Sequence, residues 1–214
     1  MNAISPPCRV SRRRSSGFES STCAGQAILG FTLLELMVVV AIIAILTALA
    51  VPSFARLVQT NTMSSTVNTF LADLRYIRSE SIRRGGGVVM CRSDDPEAAS
   101  PVCKTTSGPG GNGWVSGWII FLDLNNNLDK EPGELLLRVQ SPLNRIGSIA
   151  EGDGTSSSKF RFTATGRLFD ASSATSLKFG GDQYSSDVQR VLCVSPGGRA
   201  RIAGNGAASC GSDS

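Results

Sequence analysis

Gly30-Phe31-Thr32-Leu33-Leu34-Glu35 opens a stretch in which only Thr32, Glu35 and Thr47 are polar as far as Val51. As an α-helix rising about 1.5 Å per residue, residues 31–51 reach ~30 Å, the thickness of a bilayer's hydrocarbon core. The single charge inside it, Glu35, costs about 3 kcal/mol unpaired in hydrocarbon and so calls for a partner. A cut between Gly30 and Phe31 supplies one. The new α-amino group at Phe31 is a cation at neutral pH, and Glu35 is the nearest anion, in the same chain or a neighbouring one. Arg9, Arg12, Arg13 and Arg14 precede the stretch. They predict a single pass with a cytoplasmic N-terminus and everything after Val51 on the far side.

Beyond the apolar run, Pro52 is expected to kink or locally break the helix without ending it. Phe54, Leu57, Val58, Val67, Phe70, Leu71, Leu74 and Ile77 then recur at three- and four-residue spacing, with Asn68, Asp73, Arg78 and Glu80 on the other side. That pattern predicts an amphipathic helix lying half buried on a folded domain. Gly85-Gly86-Gly87 is its stop signal.

From Val88 the signals turn to strands. Val88–Cys91, Trp114–Leu122, Leu135–Val139, Lys159–Thr163, Leu177–Phe179, Val191–Val194 and Arg199–Ala203 are short apolar or alternating runs separated by Gly, Ser, Asn and Pro. In the second run, Trp118, Ile120 and Leu122 fall on one face and Val115, Ile119 and Phe121 on the other. The expected fold class is therefore α+β. A long N-terminal membrane-spanning helix is followed by a small β-sandwich-like domain packed on its C-terminal half.

Composition narrows the function. The 214 residues are 41% hydrophobic and 18% charged, ordinary for a folded chain with one sizeable core. Residues 1–30 hold four of the 21 basic residues and one of the 17 acidic ones, so the remainder carries a net charge of only +1. Any nucleic-acid contact must then come from a local patch. There is no histidine, which removes Ser-His-Asp and Cys-His catalysis and HExxH zinc sites. No catalytic constellation is visible, and no enzymatic activity or organic cofactor is expected.

The Gly30–Glu35 junction, with its basic leader and long apolar helix, resembles the N-terminus of type IV pilins and pseudopilins. The resemblance implies a leader at 1–30 removed by a prepilin peptidase, N-methylation of Phe31, a helix at 31–86 spanning the inner membrane at 31–51, and an exported β-rich domain at 87–214. It gives Glu35 the role of pairing with the N-terminus of an adjacent subunit during assembly. Trp118–Asp123, the Asn-rich turn after it, Gly133–Arg138 and the Gly198-Arg199-Ala200-Arg201 run are similar to the GspH/FimT-type minor pilins and pseudopilins. That implies a structural subunit of a type IV pilus or a type II secretion pseudopilus, at or near the tip. Its location would be the inner membrane with a periplasmic domain, then a periplasmic pseudopilus or an extracellular pilus. A Sec signal peptide is the other processing reading. Leu36–Leu46 would be its apolar region and Ala48-Leu49-Ala50 its cleavage site, releasing a soluble β domain.

Four cysteines follow the leader: Cys91, Cys103, Cys193 and Cys210. Export to an oxidising compartment predicts disulfides. Of the three pairings, the two short closures, Cys91–Cys103 and Cys193–Cys210, are preferred over a metal site, since no C-x-x-C knuckle exists.

Two further motifs bear on ligands. Asp123, Asn125, Asn127, Asp129, Glu131 and Glu134 fall at positions 1, 3, 5, 7, 9 and 12 of a calcium loop. However, Leu128 stands where such a loop has glycine, and Pro132 lies inside it. A polar hairpin turn is the alternative. Arg199 and Arg201 share one face of a strand about 7 Å apart, with Ala200 and Ile202 toward the core. Two neighbouring guanidiniums suit phosphate oxygens. Some relatives that this pattern resembles bind DNA during uptake, which makes DNA a candidate partner, with Lys178 and Arg190 as further contributors if their strands are neighbours.

Overall fold

The computed structural model describes residues 32–151, 158–169, 175–206, 208 and 210, with the backbone alone at position 52. The Gly30–Phe31 junction and most of the Gly152–Ser158 loop lie outside the described residues. The chain divides into two units, residues 1–47 and 48–214.

One helix, α1 (Leu33–Arg84), carries the N-terminal signal. Thr32 caps it, its Oγ1 accepting the Glu35 amide at 3.2 Å, which satisfies one of the free N–H groups of the first turn. The helix is long and apolar enough to cross a membrane and passes position 52 without interruption. At its end Gly85 is left-handed (φ 80°) and the Gly86 amide bonds back to the Ser81 carbonyl at 2.7 Å, a Schellman stop. In the last turn Glu80 accepts hydrogen bonds from Arg83 and Arg84, which hold its carboxyl down at about 2.

Eight strands follow: β1 (Val88–Arg92), β2 (Trp118–Leu122), β3 (Leu136–Gln140), β4 (Ser148–Glu151), β5 (Lys159–Arg161), β6 (Thr175–Gly180), β7 (Arg190–Val194) and β8 (Ala200–Asn205). They pair antiparallel in two four-stranded sheets, ordered β3-β2-β1-β5 and β4-β6-β7-β8. Met63, Val67, Phe70, Leu71, Leu74 and Ile77 of α1 share one core with Val88, Met90, Trp118, Ile120 and Phe160 of the first sheet. Ile149, Leu177, Phe179, Leu192 and Val194 of the second sheet complete it. Phe70 sits where all three layers meet, with ring centroids 4.9 Å from Trp118, 6.1 Å from Phe160 and 5.5 Å from Phe179, each edge-on. Burying each such side chain stabilises the domain by about 2 kcal/mol.

Strand period explains the rest. Ile119 and Phe121 face away from α1 and form a second cluster with Val89 and Cys91, covered by Cys103, Leu128 and Leu136. That face is closed by loops. The Cys91–Cys103 disulfide, Cα atoms 5.5 Å apart, ties the 93–113 loop over it. Buried Arg92 pins the same loop by pairing with Asp94 and donating to Ser116 Oγ (3.0 Å) and Thr106 Oγ1 (2.9 Å). The second disulfide joins Cys193 of β7 to Cys210, with Cα atoms 5.7 Å apart.

Several expectations are corrected. Burial on α1 starts at Met63, and Phe54, Leu57 and Val58 are exposed, so the amphipathic part begins later than the spacing suggested. Asp73 is buried rather than solvated, because Trp118 Nε1 donates to it at 2.8 Å and Arg138 pairs with it. Trp114–Ser116 is a 3-10 turn bracketed by Gly113 and Gly117, so the strand begins at Trp118. Val115 therefore joins the main core and not the outer cluster. The fifth strand stops at Arg161, and β4 was not foreseen.

Candidate functional site

The Gly198–Arg201 run is built by a turn. Ser195 closes it from both sides, its amide bonding the Arg199 carbonyl at 2.9 Å and its carbonyl accepting the Gly198 amide at 2.8 Å. The turn lies against a second one at 163–167, with the Leu168 amide donating to Pro196 at 3.0 Å. Two glycines make this approach possible. A Cβ on Gly198 (φ 77°) would sit 2.0 Å from the Gly166 carbonyl oxygen. One on Gly166 (φ 76°) would sit 2.8 Å from Ile82 Cδ1 and 3.0 Å from Arg78 Nε. The two turns thus pack backbone to backbone, and the second rests on the Arg78 and Ile82 side chains of α1. The start of β8 is thereby brought against the last turns of α1.

A cavity of about 290 Å³ lies at that junction, lined by Leu74, Arg75, Arg78, Gly198, Arg199, Ala200 and Arg201. No acidic side chain is among the lining residues. Ala200 packs on the core as expected, but Ile202 is 40% exposed, since β8 is the edge of its sheet. Lys178 and Arg190 do not join the groove. Lys178 pairs with Val191 on β7 and sits one strand further in. Arg190 lies opposite Asn205, at the far end of β8, and its Nη1 donates to the carbonyls of Asp187, Val188 and Gln189. The two arginines that do join, Arg75 and Arg78, stand three residues apart on α1. No sequence signal ties them to β8.

The 123–134 hairpin spends its oxygens locally. Asp123 accepts the amides of Asn126 (2.7 Å) and Leu128 (3.0 Å), and Glu134 accepts those of Leu124 and Glu131 (both 2.9 Å). Asn125 Oδ1 accepts the Asn127 amide, Asn127 Oδ1 accepts the Asp129 amide, and Lys159 pairs with Asp129 at 2.6 Å. The sharp turn that a calcium loop makes with glycine is made here by Leu128, at φ 65°, whose side chain packs on the outer cluster. Among the described residues no group of three or more His, Cys, Asp or Glu side chains converges to hold a metal ion. A self-bonded polar hairpin accounts for each of these oxygens.

At the N-terminal end, Glu35 is exposed in the first turn of α1. Among the described residues no partner meets its carboxylate. Gly30 and Phe31, expected to be the processing pair, lie outside the described residues.

Comparison with known proteins places the chain. The prokaryotic N-terminal methylation motif matches residues 27–51, and the family described as type II transport protein GspH matches residues 66–198. The crystal structure of the type IV minor pilin FimU from Pseudomonas aeruginosa (strain PAO1) is similar at 20% identity and a TM-score of 0.49, over 66% of this chain and 88% of that one. No curated protein matches. The GspH match takes in the buried half of α1 and seven of the eight strands, and the chain belongs to that family, within the type IV pilin and pseudopilin superfamily.

Proposed function

We propose that this chain is a structural, non-enzymatic subunit of a type IV pilus or type II secretion pseudopilus. A prepilin peptidase would cut between Gly30 and Phe31, and residues 31–51 would hold the product in the inner membrane with the β domain in the periplasm. The subunit would then leave the membrane laterally, pack α1 against the helices of other pilin or pseudopilin subunits near the filament tip, and display the domain at 87–214.

The observation that carries this reading is the division of labour along α1. Its large apolar side chains from Leu33 to Val58 are exposed, whereas those from Met63 to Ile77 are buried in the chain's own core. So long an exposed apolar stripe needs lipid or other helices to cover it. Glu35, unpartnered within that stripe, is suited to meet the amino terminus of a neighbour. Glu35→Val should still insert in the membrane yet be absent from sheared filaments. Normal incorporation of the variant would remove Glu35 from the mechanism.

A second reading, DNA binding during uptake, draws on one observation: Arg199 and Arg201 line a cavity among arginines and no acids. With a net of about +1 after the leader, such binding would rest on a few phosphate contacts and be weak, sequence-independent and released by salt.

A further inference from the structure

We propose that the turn at 181–190 is the membrane-facing end of the β domain and rests among phospholipid headgroups while the subunit is held in the bilayer. The inference deepens the membrane-held reading above and depends on it. It starts from Arg56, which pairs with Asp187. Burial on α1 begins only at Met63, so this pair ties the turn to a part of the helix that still protrudes from the core. Arg56 stands five residues past Val51, the last residue of the apolar run. At 1.5 Å per residue that is about 7–8 Å beyond the hydrocarbon, and a headgroup layer is about 5–8 Å thick. The residues around Arg56 agree with that level. Phe54, Leu57 and Val58, on either side of it, are exposed apolar side chains. They suit this stretch to the boundary of lipid and water, where an arginine keeps its stem in the apolar zone and its head in the polar one. The opposite end of the domain lies far from that level. Gly166, in the 163–167 turn, lies against Arg78 and Ile82, which is about 33–39 Å further along the helix than Arg56.

The turn itself is built to hold its backbone inward and its side chains outward. Gln189 Nε2 donates to the carbonyls of Gly181 and Tyr184 at 3.0 and 2.8 Å. The Arg190 guanidinium donates to those of Asp187, Val188 and Gln189, and the Ser186 carbonyl accepts the Gly206 amide at 2.8 Å. With these carbonyls satisfied, Asp182, Gln183, Ser185, Ser186 and Asp187 are exposed and Tyr184 is half buried. The Tyr184 hydroxyl donates to the Arg145 carbonyl, which fixes the neighbouring loop to the same end. The surface thus offers hydroxyls, an amide and charges of both signs, Asp182 and Asp187 with Arg56, Arg145 and Arg190. That mixture matches a layer of phosphates and ammonium groups rather than a purely anionic surface, and tyrosine is a residue of such interfaces. The partner is therefore a zwitterionic phospholipid headgroup, and the Arg56–Asp187 pair sets the height at which the domain meets it.

The test uses the chain extracted from membranes and reconstituted in nanodiscs of phosphatidylethanolamine with a minority of phosphatidylglycerol. A fluorescent amino acid is incorporated in place of Ser186 or, in a second sample, of Thr165. A nitroxide carried on the lipid headgroup should quench the fluorophore at 186 about twofold or more and leave the one at 165 unchanged, since about 30 Å of helix separates their levels. Removing the phosphatidylglycerol should leave the quenching as it is. Arg56→Ala should reduce it, and Arg56→Asp combined with Asp187→Arg should restore it, so a loss through misfolding is recognised. Quenching that is absent at 186, equal at both positions, present only with the anionic lipid or unaffected by Arg56→Ala would overturn the inference while the membrane-held subunit stands. A chain that does not stay with the nanodiscs would remove that reading and this inference with it.

Discussion

Asp73 shows how one side chain can be misplaced by periodicity alone. On a helical wheel it belongs with Asn68 and Arg78 on the wet side, yet it is 3% exposed. The partners that admit it come from elsewhere in the chain: the Trp118 indole at 2.8 Å, and Arg138, which also lies 4.2 Å over the Tyr76 ring. A helical pattern carries no information about residues 45 and 65 positions away. Asp73→Ala should destabilise the domain by about 2–4 kcal/mol in chemical denaturation, since it strands a buried donor and uncouples Arg138. A loss below about 0.5 kcal/mol would mean that the network is incidental. Glu35 was legible for the opposite reason. A carboxylate in an apolar run is costly whatever surrounds it, so its need for a partner is written locally. Leu128 lies between these cases. Its residue type argues against a left-handed turn, but the side chain's packing on the outer cluster offsets the strain of φ 65°.

Among the elements, long strong patterns were readable and short ones were not. The helix stop at Gly85–Gly87 and the centres of seven strands follow from local chemistry. Trp114–Ser116 resembles a strand because its residues are apolar, but the flanking glycines set a 3-10 turn. Ser148–Glu151 has only one buried residue, Ile149, too little alternation to announce itself. The disulfides close loops of 12 and 17 residues in sequence separation, each contributing roughly 3 kcal/mol by the chain-entropy estimate. Unreduced, denatured protein should therefore show no thiol-reagent labelling at Cys91, Cys103, Cys193 or Cys210, and reduction should lower the melting temperature. Labelling of any of the four would break the scheme. The 123–134 hairpin already satisfies its carboxylates with backbone amides, the Asn125 and Asn127 side-chain amides and Lys159. Its melting transition should be the same in millimolar calcium and in chelator, and a clear upward shift with calcium would overturn the reading of a self-sufficient turn.

At the scale of the whole molecule, the order of the sheets was beyond the sequence. Which strand neighbours which depends on long-range pairing, so Lys178 and Arg190 could not be separated from Arg199 and Arg201, nor Arg75 and Arg78 joined to them, before β8 was seen against α1. The division of α1 was legible in outline, because an apolar run without a polar face and a one-sided run are different patterns. That division underlies the central claim, that this is a processed, membrane-held subunit whose exposed apolar helix serves assembly. Intact mass and N-terminal peptide mapping of protein extracted from membranes test it most directly. The account predicts a chain beginning at N-methylated Phe31, with residues 1–30 removed. A mature chain beginning at Val51, after Ala48-Leu49-Ala50, would contradict it and leave a secreted soluble domain in its place.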